Sequence, residues 1–178
     1  MKKGFIFILL FLALAAQAQF PSGRTFHYTR KDGLSYYTVN SILQDDKGFM
    51  WFATGDGLNR FDGQNFEVFK HEGDNKLSLP GNYVQQIFKD AAGTFWVTSR
   101  KGLYQFNTKS QQFNQFPLQG HISTGDVSHI SENRKHNLWI STSSNGFFYL
   151  NRASGKITRF TKENLKGLGS NSVLKIYE

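Results

Sequence analysis

The sequence predicts an all-β fold built from repeated four-stranded antiparallel units. Three observations carry that expectation. The tryptophans fall at Trp51, Trp96 and Trp139, spaced by 45 and 43 residues. Short apolar runs are separated by Gly, Asn and Asp, with 17 glycines against three prolines. No segment sustains the 3.6-residue apolar period of an amphipathic helix.

The elements follow in chain order. Residues 1–18 open with Lys2 and Lys3, run uninterrupted and apolar from Phe5 to Ala15, and close on Ala16-Gln17-Ala18. That is the pattern of a secretory signal peptide with a small-residue cleavage site. The apolar run is about 11 residues long, whereas a membrane span needs roughly 20. Cleavage after Ala18 is expected to leave Gln19 first. Loss of Lys2 and Lys3 then takes the formal charge from +8 to +6 over 160 residues. The chain contains no cysteine, which excludes a disulfide framework, a thiol nucleophile, a cysteine-bound lipid and a Cys-based metal site. A chain exported to the periplasm, as this leader predicts, does not meet chromosomal DNA. The pI near 9.7 therefore does not point to nucleic acid, and none is expected to contact this segment.

Residues 19–33, containing Thr25-Phe26-His27-Tyr28-Thr29, are expected to form an outer strand of the kind that closes a ring of repeats. Three units follow over 34–70, 71–116 and 117–160, and a fourth begins over 161–178. Nine residues before each Trp stands an Ile (Ile42, Ile87, Ile130), and three before each Ile a Val (Val39, Val84, Val127). Val173 and Ile176 repeat that opening. After each Trp come Thr54, Ser99 and Thr142, then Gly57-Leu58, Gly102-Leu103 and Gly146-Phe147, the third copy one residue longer. Each copy ends in an apolar pair: Phe66/Phe69, Phe113/Phe116 and Ile157/Phe160. In the first unit these patterns predict strands over Val39–Gln44, Met50–Thr54, Leu58–Phe61 and Phe66–Lys70. Asp56-Gly57 and Asp62-Gly63 supply tight turns, since glycine accepts positive φ. Four antiparallel strands per 43–45 residues is the period of a β-propeller blade. The expected fold is a β-propeller fragment of about three blades plus the start of a fourth.

The string from Val39 to Asp62, VNSILQDDKGFMWFATGDGLNRFD, resembles the two-component regulator propeller repeat. Val84 to Asn107 matches nearly as well. The third copy departs, with His136 in place of the turn glycine and a longer turn before Gly146. The resemblance implies the periplasmic sensor of a hybrid two-component histidine kinase of Bacteroidetes type. It implies further blades, a membrane span and kinase modules downstream, a possible homodimer of the parent, and an oligosaccharide ligand that regulates polysaccharide utilisation. The chain breaks off inside the expected first strand of blade four, as a truncated product or fragment would.

Catalytic chemistry has little to stand on. His27, His71, His121, His129 and His136 show no metal-ligand spacing. Asp126, Ser128 and His129 are crowded on one short segment, where neighbouring strand residues point to opposite faces. Asp45-Asp46 read as turn acids, and Gly55-Asp56-Gly57 and Gly167-Leu168-Gly169 lack the strand-to-helix context of a phosphate loop. No catalytic residue, metal ligand or cofactor is expected. Blade geometry places the blade-to-blade loops and the turns between second and third strands on one face. That face offers Tyr36, Tyr37, Asp56, Asn82, Arg100, Lys101, Asn145 and Asn171, with His71 and His121, as candidate ligand-binding residues. Tyrosine and asparagine suit sugars. The alternatives are a secreted propeller enzyme, a lyase or hydrolase, and a protein-binding propeller. An enzyme would need convergent acid–base groups at Ser41, Gln86, His129 and Lys175, which offer no repeated pair.

Overall fold

Alternating apolar residues and Gly/Asn/Asp turns give twelve strands among the residues described, 25–118 and 127–177, in a computed structural model. The signal peptide expected over 1–18, the start of the 19–33 segment, His121 and Asp126 lie outside the described residues. The first sheet is a meander of β1 (Val39–Gln44), β2 (Met50–Thr54), β3 (Gly57–Phe61) and β4 (Phe66–Phe69). The second joins β5 (Val84–Lys89), β6 (Phe95–Ser99), β7 (Gly102–Asn107) and β8 (Gln112–Gln115). The third joins β9 (Val127–Glu132), β10 (Leu138–Thr142), β11 (Phe147–Leu150) and β12 (Ile157–Phe160). Neighbouring strands are antiparallel throughout. The first unit differs from expectation only at two ends: β3 begins one residue earlier, at Gly57, and β4 stops at Phe69.

Each turn between first and second strands is built by the residue six before the Trp. Asp45 Oδ1 accepts the backbone N–H groups of Lys47 and Phe49, and its Oδ2 accepts the Trp51 indole N–H at 2.9 Å. Asp90 repeats this with Thr94 N–H and the Trp96 indole at 2.6 Å. Asn133 accepts the N–H groups of Lys135 and Asn137. Asp45 and Asp90 thus also hold the tryptophans of the first two units. The turn needs one residue at positive φ, which Gly48 (87°) and Gly93 (83°) supply and His136 (61°) must adopt. That costs a residue with a Cβ about 1–2 kcal/mol.

The core sits between sheets. Trp51, buried at 1% exposure, packs with Leu58 against Val84, Ile87, Val97 and Phe106 of the second sheet. Trp96 and Leu103 pack likewise against Ile130, Leu138, Ile140 and Phe148 of the third. Burial of each such side chain is worth about 1.5–3 kcal/mol. The outer faces differ. Ile42 is 58% exposed where its equivalents Ile87 and Ile130 are 2% and 0% exposed. Trp139 is half-buried, against Phe147, Tyr149 and Phe160 of its own sheet.

Polar side chains of the first strands stitch one unit to the next. Asn40 Nδ2 donates to the Val84 carbonyl at 2.7 Å, and Ser41 to that of Ile87. Gln86 donates to the Ile130 carbonyl and accepts the Ile130 N–H. Ser128 and Ser131 donate to the carbonyls of Val173 and Ile176. The described part of 161–178 holds no strand, yet it meets the third sheet through the junction contacts the repeat prescribes. The described part of 19–33 is coil and one 3-10 turn, Arg30–Asp32, capped by Thr29. It joins no sheet and lies on the first one through Tyr28, 4.8 Å from the Phe61 ring and 5.8 Å from Phe66.

Candidate ligand face

A meander returns at both ends, so the turns between second and third strands sit at the end where the chain enters the next unit. Gly57 N–H donates to the Asn82 carbonyl at 2.6 Å, and Gly146 N–H to the Asn171 carbonyl at 2.8 Å. The turn and the following linker are therefore one surface, as the sequence predicts. Gly57 has no substitute: φ is 122°, and a Cβ would sit 2.8 Å from the Phe69 carbonyl oxygen.

Contacts run without interruption across the first two units. Tyr37 is 75% exposed and stacks on Tyr36, with centroids 4.2 Å apart and hydroxyls 3.1 Å apart. Tyr36 lies on Gly55, where an added Cβ would meet its ring at 2.9 Å. Next comes Asp56, which pairs with Lys70 at 2.7 Å and accepts from Asn82 Nδ2 at 3.1 Å. Gly81 faces the Lys101 stem, and the Arg100 guanidinium lies 4.3 Å above the Tyr83 ring. Six candidates thus share one surface: Tyr36, Tyr37, Asp56, Asn82, Arg100 and Lys101. Hydrogen bonding from Tyr36 to Tyr37, with the second hydroxyl nearby, raises the Tyr36 pKa above that of an ordinary phenol.

The remaining candidates belong to the third unit. Asn145 accepts from Arg159 through its carbonyl and its side chain, and its N–H donates to Thr142. Asn171 Oδ1 accepts Lys162 N–H at 2.8 Å, and its amide donates to Glu163. Asn82 Oδ1 accepts His71 N–H in the same way, while His71 Nδ1 contacts the Leu79 carbonyl at 2.9 Å. Asn82 and Asn171 therefore brace equivalent linkers. Their equivalent in the first unit is Tyr37, which braces nothing and is exposed. Sequence reasoning passed over Tyr83, although it directly precedes Val84 and so belongs to the same loop face.

Elsewhere the polar groups have other employment. On the opposite face a cavity of about 130 Å³ lies between the first two sheets. There Lys89 pairs with Asp46, and Arg60 pairs with Glu67 at 2.6 Å while covering the Phe49 ring. His129 Nδ1 is buried without a partner among the described residues, and its ring lies 5.6 Å from Tyr177. Burial, with Lys175 adding repulsion, lowers the His129 pKa.

Successive four-stranded meanders joined by inner-strand bonds and by a Trp-centred core define a β-propeller repeat protein. The two-component regulator propeller pattern matches residues 33–56 and 78–101. The first two copies thus carry that family's repeat, and the third copy, with His136 and the longer turn, lies outside both matched stretches. The structure resembles the extracellular domain of a hybrid two-component system from B. thetaiotaomicron, with 34% identity and a TM-score of 0.74 over 84% of this chain and 22% of that one. A second extracellular domain from that bacterium, of a one-component system, matches at 22% identity and a TM-score of 0.65, covering 78% and 20%. Histidine kinase P4 of Formosa agariphila is 28% identical, in a match covering 82% of this chain and 18% of that protein. The chain spans about a fifth of the length of these relatives.

Proposed function

We propose that this chain is part of the exported, ligand-sensing propeller of a hybrid two-component sensor histidine kinase. Its ligand in this reading is an oligosaccharide, and its output is control of polysaccharide-utilisation genes. The observation that carries the reading is the likeness to the extracellular domain of a hybrid two-component system, at 34% identity over 84% of the chain. The tyrosine pair on the loop face, with Tyr37 exposed and Tyr36 partly buried beneath it, supports a saccharide, since aromatic faces stack on sugar rings while hydroxyl and amide groups meet sugar hydroxyls.

The partners proposed are further blades of the same repeat, covering the faces that hold Ile42 and Trp139, and downstream membrane and kinase modules. Ligand binding would act by favouring one packing of propeller against those modules, a population shift. A homodimer of the parent would carry that shift to the kinase. Export places the chain in the periplasm and the parent in the inner membrane.

Two measurements test this. Expressed with its own N-terminus in a Gram-negative host, the protein is expected in the periplasm with Gln19 first; retention in the cytoplasm at full mass contradicts export. A glycan array probed with the full chain is expected to show binding that Tyr37→Ala weakens. Absence of binding to every saccharide contradicts the sensing reading.

A further inference from the structure

We propose that Arg100, seated over the Tyr83 ring and flanked by Lys101, is the oxyanion subsite of the ligand face, so that the ligand is an acidic saccharide bearing carboxylate or sulfate groups. This deepens the sensing reading above and rests on it. Arg100 and Lys101 form the two-residue turn between β6 and β7, a position held by Gly55-Asp56 in the first unit. Two other cations on this face are committed: Lys70 to Asp56, and Arg159 to Asn145. Among the described residues no carboxylate pairs with Arg100 or Lys101, and neither side chain donates a hydrogen bond.

The guanidinium is nonetheless positioned. Its Cζ lies 4.3 Å from the centroid of the Tyr83 ring, and that ring is tethered by its hydroxyl donating to Gln85 Oε1 at 3.1 Å. Stacking occupies one face of the guanidinium and leaves its N–H fork free, the geometry that grips a carboxylate or sulfate through two parallel bonds. Lys101 adds a second charge beside it, its stem lying on Gly81. The saccharide part follows from continuity: the same surface runs through Asn82, Asp56 and Gly55 to the Tyr36–Tyr37 stack. An acidic peptide would use the cations and has no need of that aromatic platform.

Calorimetry on the full chain tests this with four probes: an oligogalacturonate, a sulfated cello-oligosaccharide, the unsulfated cello-oligosaccharide and a poly-glutamate peptide. One or both acidic saccharides are expected to bind at least ~10-fold more tightly than the neutral one, and the tighter of the two identifies the anion. Arg100→Ala is expected to weaken binding by ~10–100-fold, the range for a charge-assisted contact. Arg100→Lys should recover only part of that loss. Tyr83→Leu should weaken binding and Tyr83→Phe, which keeps the ring but loses its hydroxyl tether, should weaken it less, with unchanged melting temperatures showing that the fold survives. Neutral saccharide bound as tightly as the acidic ones, or binding untouched by Arg100→Ala, overturns the acidic subsite and leaves the sensing reading standing. Peptide bound as tightly as saccharide overturns the ligand class. No saccharide binding at all overturns both.

Discussion

His136 carries the turn of the third unit at φ 61°, where the other two units use glycine. His136→Gly is expected to stabilise the protein by about 1 kcal/mol, since a positive φ costs a residue with a Cβ about that much. A thermal melt with a lower midpoint than the parent contradicts this. Asp90 is fully buried, holds the Trp96 indole and pairs with Arg152 of the third unit. Asp45 holds Trp51 the same way but has no cationic partner among the described residues. Asp90→Ala should therefore cost about 3 kcal/mol or more in urea unfolding, because it strands Arg152, and Asp45→Ala about half that. Equal costs would contradict the role assigned to Arg152. His129 sets a pH dependence: burial lowers its pKa below the ordinary 6.5. On acidification the unfolded chain takes up that proton first, so the contribution is complete above pH 6.5 and is lost as pH falls through the depressed value. His129→Gln should flatten melting temperature against pH between about 7 and 5; an unchanged slope contradicts it.

At the scale of elements, the strands were legible because period-2 runs and Asp-Gly turns are local signals. Even so, β4 ended at Phe69 rather than at Lys70, which is drawn off to Asp56. The repeat also revealed which residues are equivalent, and hence that Asn82 and Asn171 do one structural job. Less legible was anything that depends on a neighbouring unit. Nothing local says that Arg152 reaches Asp90, 62 residues earlier, or that Tyr83 becomes a platform for Arg100. The strand expected over 19–33 shows the same limit, for its described part joins no sheet and lies on the first one through Tyr28 and Gly33. Trp96→Ala should cost about 3–5 kcal/mol, as it empties a closed junction. Trp139→Ala should cost clearly less, being half-buried against its own sheet. Equal losses on denaturation would show that the two junctions are closed alike.

For the whole molecule, the same repeat that fixes the fold also fixes which end of every sheet gathers the linkers. That end carries the stacked tyrosines and Arg100 and Lys101, which have no acidic partner among the described residues, whereas the opposite end spends Lys89 and Arg60 on ion pairs. Six of the eight candidate residues were brought together by a rule about strand direction; the electrostatic difference between the faces required the structure. The repeat match accounts for the first two blades, and the loop face carries the proposed ligand site.

Hydrogen–deuterium exchange on the full chain, with and without a saccharide that it binds, tests that assignment most directly. The account predicts slowed exchange at 36–39, 55–57, 82–84 and 100–102, and none at the turns 45–48 and 90–93. Protection confined to those opposite turns, or absent from both faces while binding is saturated, would contradict it.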